Sequence, residues 1–125
     1  MLANVVLGSN DLDRAAAFHD GLLALFGARQ VMRNARSILW KPGDAGSGIA
    51  VCLPHDGQAA THGNGTMVGL KAGSTREVDL VHQTALRLGG TCEGPPGERR
   101  PDVYAAYFRD PDGNKFGVFH VAGAG

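Results

Sequence analysis

The chain repeats itself. An offset of 63 residues sets Val5 on Val68, Leu7 on Leu70, His19 on His82, Leu23 on Leu86, Leu25 on Leu88 and Gly27 on Gly90. Asp11 falls on Ser74, and both are residue types that cap helix N-termini. Each copy reads as a short strand, a cap, an amphipathic helix and a glycine stop. The first helix is predicted from about Leu12 to Phe26, with Ala15, Phe18 or His19, Leu22 and Phe26 along one face. The second is predicted from about Thr75 to Leu88, with the stripe Val78, Val81, Ala85 and Leu88. Ser74-Thr75-Arg76-Glu77 forms its capping box, and Gly89-Gly90 stops it.

Three strand-like runs follow each helix: 30–33, 37–41 and 48–53, then 91–93, 104–109 and 115–121. Asp110-Pro111-Asp112-Gly113 marks a tight turn, with Pro setting φ and Gly admitting positive φ. A polar, Gly-rich crossover spans residues 54–65. One domain of 125 residues is expected, with module 1 at about 1–55 and module 2 at about 66–125. A half of this size with one helix buries too little surface to stand alone, so the halves should pair. The expected fold is α+β: duplicated βαβββ modules in a curved mixed sheet, helices on the convex side and a concave cup opposite. Nineteen glycines, about twice the usual share, punctuate the chain as many short strands require.

Composition narrows the function. Hydrophobic residues make up 43%, enough for a packed core. Twelve basic residues balance twelve acidic ones, which leaves no basic footprint for nucleic acid and no polybasic run for an anionic membrane. Cys52 and Cys92 have no metal-ribbon or redox-motif spacing and read as free, buried thiols in a reducing compartment. No apolar run is long enough to span a bilayer, and the start lacks a basic n-region. A cytoplasmic protein is expected.

The run Tyr107-Phe108-Arg109-Asp110-Pro111-Asp112-Gly113-Asn114-Lys115-Phe116 resembles the closing hairpin of the vicinal oxygen chelate superfamily, which includes glyoxalase I, bleomycin-resistance proteins and extradiol dioxygenases. Val5 to Ala15 resembles that superfamily's first strand and helix, and Phe18-His19-Asp20 sits where many members have Phe-Tyr-Asp. Asp56 to Thr61, followed by Gly63 to Val68, resembles a bacterial glyoxalase-like subgroup. The resemblance implies a divalent metal held in the cup by His and Glu. Carried over one by one, the ligand positions fall on Asn4, Ala50, Met67 and Gly117. Asn is a weak oxygen donor, Met suits soft metals, and Ala and Gly have no donor side chain. The expected cofactor is therefore none, and the expected metal site is none.

Other candidates need weighing. Tyr107 lies across the hairpin from Gly117, so both should share the cup face. Its phenol either meets ligand oxygen, as a binding or catalytic group, or belongs to a core aromatic tied to backbone. Lys115 and Phe119 share that face if the strand alternates, Lys115 and Arg109 as rim charges. Trp40, the one tryptophan, is either core or a stacking platform in the cup. His19 and His82 read as helix-face structure, and His120 should face the helices or the sheet end. His55 and His62 read as loop surface, or as part of a non-standard metal site. Arg99-Arg100, read as loop, either greets an anion or is simply solvated. No nucleophile elbow, phosphate loop or dinucleotide fingerprint is present.

The reading is a cup that binds a small organic molecule without a metal, lined by Asn4, Trp40, Met67, Tyr107 and Gly117. The alternatives are a glyoxalase-like lyase or isomerase acting through Tyr107 or through His55 and His62, and a protein-binding module. The resemblance also implies a homodimer.

Overall fold

The computed structural model describes residues 1–123. The order is β1 (Asn4–Gly8), α1 (Leu12–Ala24), β2 (Arg29–Arg33), β3 (Ser37–Lys41), β4 (Gly48–Cys52), β5 (Val68–Lys71), α2 (Thr75–Arg87), β6 (Thr91–Arg100), β7 (Val103–Arg109) and β8 (Lys115–Val121). Each half is βαβββ, and the fold is α+β. The strands form two four-stranded mixed sheets, ordered β1-β4-β3-β2 and β5-β8-β7-β6, rather than one continuous sheet. In each, the first strand pairs parallel to the last and the rest are antiparallel.

The helix signals act locally as the sequence implies. Asp11 accepts from the Arg14 amide and Ser74 from the Glu77 amide. Glu77 reaches back to the Gly73 amide at 2.8 Å, one residue before the usual capping-box partner. Both helices close on a left-handed glycine, Gly27 at φ +75° and Gly89 at φ +101°. The structural counterpart of Gly27 is thus Gly89, not Gly90. Gly90 follows it as the amide that bonds back to the Ala85 carbonyl, as Ala28 does to Leu23.

Strand alternation sends one face of each sheet to the helices. Leu7, Ile38, Trp40 and Val51 from the first sheet join Ala106, Phe108, Phe116 and Val118 from the second in one buried cluster with Phe18, Leu22, Val78 and Val81. This continuous core is why two small halves hold together. Phe18 of α1 lies 6.5 Å from Phe108 of β7, centroid to centroid. Gly21 permits close helix approach, because a Cβ there would meet Leu88 Cδ1 at 2.7 Å.

The turn between β7 and β8 clamps the modules together. Asp110 is 3% exposed and accepts from the Asp112 and Asn114 amides, from Asn114 Nδ2, and from His19 Nε2 at 3.0 Å. A carboxylate only accepts, so His19 Nε2 is the donor in this pair. Asn114 also donates to the Gly8 carbonyl, and Asp112 takes Arg14 and the Asn10 amide.

The expected strand 91–93 is corrected to Thr91–Arg100. Pro95 and Pro96 read as loop, yet β6 is an edge strand, where missing donors cost no ladder bond. Its register shifts three times along β7. No helix is long and apolar enough to cross a membrane among the described residues.

Candidate functional site

The faces away from the helices carry the candidate residues. Asn4, Val6 and Gly8 of β1 alternate with the core residues Val5 and Leu7. On β4, Ala50 faces away from the helices, between the core residues Ile49 and Val51, and it is paired to Val6. In the second sheet, Tyr107 sits opposite Gly117, as hairpin symmetry requires. A Cβ on Gly117 would lie 3.2 Å from Met67 Sδ and 2.6 Å from Phe119 Cε2. Met67, Tyr107, Gly117 and Phe119 therefore cluster, with Tyr107 and Phe119 edge to face at 5.7 Å. Asn4 and Ala50 lie on the other sheet.

Trp40 is corrected. It is 1% exposed, and its indole Nε1 donates to Asp20 of α1 at 2.8 Å. Alternation on β3 sends Ile38 and Trp40 to the helix and Ser37, Leu39 and Lys41 to the open face. It cannot serve as a platform in the cup.

Two cations attend Tyr107. Arg99 Cζ lies 5.3 Å and Lys115 Nζ 5.6 Å from its ring centroid. Arg99 is on β6 rather than in a loop, and it donates to the Pro95 carbonyl at 2.6 Å. Gly97 and Gly94 leave it room, since Cβ atoms there would meet its guanidinium at 3.1 and 3.3 Å. The Gly94-Pro95-Pro96-Gly97 run is the sequence signal for this placement of Arg99. The Tyr107 hydroxyl has no hydrogen-bond partner among the described residues, so it is not tied to backbone. Beside it, Arg109 bonds Glu93 and the Gly113 carbonyl. The hydrogen bond from Arg109, and then its charge, hold the Glu93 carboxyl below the usual carboxylate range.

The open face of the first sheet has a cavity of about 580 Å³, lined by Val6, Gly8, Ser37 and Cys52 and roofed by His55 and Ala60 of the crossover. That volume suits a small organic molecule. In the sequence this roof is only a polar, Gly-rich crossover. Gly8 was the available signal, because its missing Cβ admits Ala60 at 3.0 Å. Asn10 fastens the crossover by accepting from the Ala60 amide at 2.7 Å. A second cavity, about 410 Å³, lies along Gly69, Lys71, Phe119 and Val121.

The remaining histidines are placed elsewhere. His19 is fully buried on Asp110, and His82 lies 3.2 Å from Cys92 Sγ. His62 packs on the β7–β8 turn, where a Cβ on Gly113 would strike it at 2.6 Å, and His120 Nδ1 is 3.3 Å from the Ala72 carbonyl. Among the described residues, no three His, Cys, Asp or Glu side chains are grouped to hold a metal ion. The four positions named above do not fit one either. Ala50 and Gly117 offer no donor, and Phe119 fills the space a carboxylate at 117 would need.

Two βαβββ modules on one core, each with an open sheet face, define a duplicated α+β architecture. The chain belongs to the Glyoxalase/Bleomycin resistance protein/Dioxygenase superfamily, whose sequence profile matches residues 2–118. A glyoxalase/bleomycin resistance protein from Albidiferax ferrireducens T118 is 38% identical, with a TM-score of 0.87 over 96% of this chain and 98% of that one. Two others share the fold. A family enzyme from Burkholderia phytofirmans PsJN is 20% identical, with a TM-score of 0.78 over 95% of this chain and 97% of its own. The fosfomycin resistance protein FosX from Mesorhizobium loti is 21% identical, with a TM-score of 0.71 over 96% of this chain and 91% of its own. No curated protein matches the chain.

Proposed function

We propose that this protein binds a small organic anion on the open sheet faces, without a metal. The observation that carries the reading is Tyr107 with Arg99 and Lys115 at its ring, beside Met67, Phe119 and Gly117. Cations supply charge recognition, the aromatic pair supplies apolar contact, and Gly117 lets Phe119 and Met67 pack close beside Tyr107. Asn4 contributes an amide from the first sheet. The setting is cytoplasmic, in keeping with two unpaired cysteines. A second copy of the chain covers the open faces, where Val6, Met32, Met67 and Val121 are each at least 40% exposed. Sedimentation of the purified chain tests that dimer.

The test of binding is a melting-temperature screen of small carboxylates and phosphonates with EDTA present. Ligand at about 100 times Kd stabilises by roughly 2.7 kcal/mol, a rise of several degrees. A rise that Lys115→Ala and Arg99→Ala abolish supports the reading. No response from any anion, or one that needs added metal, overturns it.

The free Tyr107 hydroxyl favours a second reading, a lyase or isomerase in which the phenol gives a proton to a substrate oxygen. That reading requires turnover that Tyr107→Phe removes while binding persists.

A further inference from the structure

On the opposite side of the second sheet from Tyr107, Cys92 and His82 make a pair that the proposed cup does not use. The expectation of buried thiols is corrected: Cys52 is half-buried, and Cys92 is exposed because β6 is an edge strand, while its register partner Phe108 is core. His82 of α2 is 7% exposed, and its Nε2 lies 3.2 Å from Cys92 Sγ. The thiol is thus reachable from the sheet edge, while its base is fixed by packing. We propose that Cys92 and His82 form a thiol–imidazole dyad that is a covalent modification site for soft carbon electrophiles of the α,β-unsaturated carbonyl class.

The chemistry needs a neutral imidazole, because only then is Nε2 an acceptor. Burial pushes His82 below the ordinary imidazole value, and the Asp79 charge acts in the opposite direction. Asp79 on α2 is itself engaged by the Tyr104 hydroxyl of β7 at 2.6 Å. Glu93 and Arg109, the charged neighbours on β6 and β7, pair with each other on the other face. In the reaction the thiol proton passes to Nε2 as Sγ bonds the alkene β carbon. The π pair moves onto the carbonyl as an enolate, and the imidazolium returns the proton to the α carbon. The thioether product holds every atom of both reactants, so no oxidant or reductant is required.

The test uses N-ethylmaleimide, which carries this alkene, on the whole chain. Peptide mass mapping separates the adducts of Cys92 and Cys52, and N-acetylcysteine is the reference thiol. The expected result at pH 6.0 is a Cys92 rate on the order of tenfold above the reference, with the gap closing by pH 9. His82→Gln should remove that advantage. A Cys92 rate no faster than N-acetylcysteine at pH 6.0 overturns the proposal, and so does an undiminished rate in a folded His82→Gln. If that variant does not fold, the wild-type pH profile decides alone.

Discussion

Replacing Asp110 by Ala should damage the fold more than any other change in the β7–β8 turn. The carboxylate accepts two backbone amides, the Asn114 side chain and His19, and it is 3% exposed. Truncation strands buried donors that each cost about 1–3 kcal/mol if left unpaired. Partial rehydration of the turn recovers some of that, so the net expectation is about 3–5 kcal/mol, as for breaking a buried pair. Domains of this size have only ~5–15 kcal/mol in total. The melting temperature should fall by roughly 10–20 °C. His19→Leu is the informative comparison. It keeps three of the four bonds to Asp110 and removes an Nδ1 that is buried without a partner. It should cost only about 1–2 kcal/mol. Urea unfolding of both variants measures the difference. A loss under ~1 kcal/mol for Asp110→Ala, or equal losses for the two, would refute the clamp.

Three further outcomes follow from named contacts. Gly90→Ala should destabilise by about 1–3 kcal/mol, because its Cβ would sit 2.7 Å from the Arg109 carbonyl and 2.8 Å from the Ala85 carbonyl, both backbone; denaturant unfolding reads it. Trp40 emission should be blue-shifted, shielded from acrylamide and unmoved by any ligand that raises the melting temperature, since the indole lies under α1. Burial lowers the His82 pKa, so the unfolded chain takes up that proton first as pH falls below about 6.5. His82 then contributes declining stability from there down to its folded-state pKa, and His82→Gln should flatten that part of a melting-temperature profile between pH 7.5 and 5.

Much of this was legible because the signals are local. Caps, apolar stripes and glycine stops place both helices within two residues, and hairpin symmetry puts Tyr107 opposite Gly117. Trp40 was ambiguous because a strand residue's face depends on register, which a single sequence leaves open until β3 is seated under α1. The second half of β6 is hidden in the sequence because Gly-Pro-Pro-Gly is loop chemistry, unless the strand lies at an edge. The first-sheet cavity was hidden because its roof is a polar crossover. Only contacts such as Gly8 with Ala60 reveal that it folds over the sheet. The position of Arg99 over Tyr107 needs the same three-dimensional knowledge, since Gly94 and Gly97 matter only once β6 lies beside β7.

The most direct test is the metal content of untagged protein purified without chelators, paired with melting curves on adding Mg²⁺, Mn²⁺, Zn²⁺, Ni²⁺ or Fe²⁺. A chain with Asn4, Ala50, Met67 and Gly117 at these positions should carry well below one equivalent of any metal and keep an unmoved melting temperature. Near-stoichiometric metal, released together with stability by EDTA, would contradict it and would direct mutation first to His55 and His62.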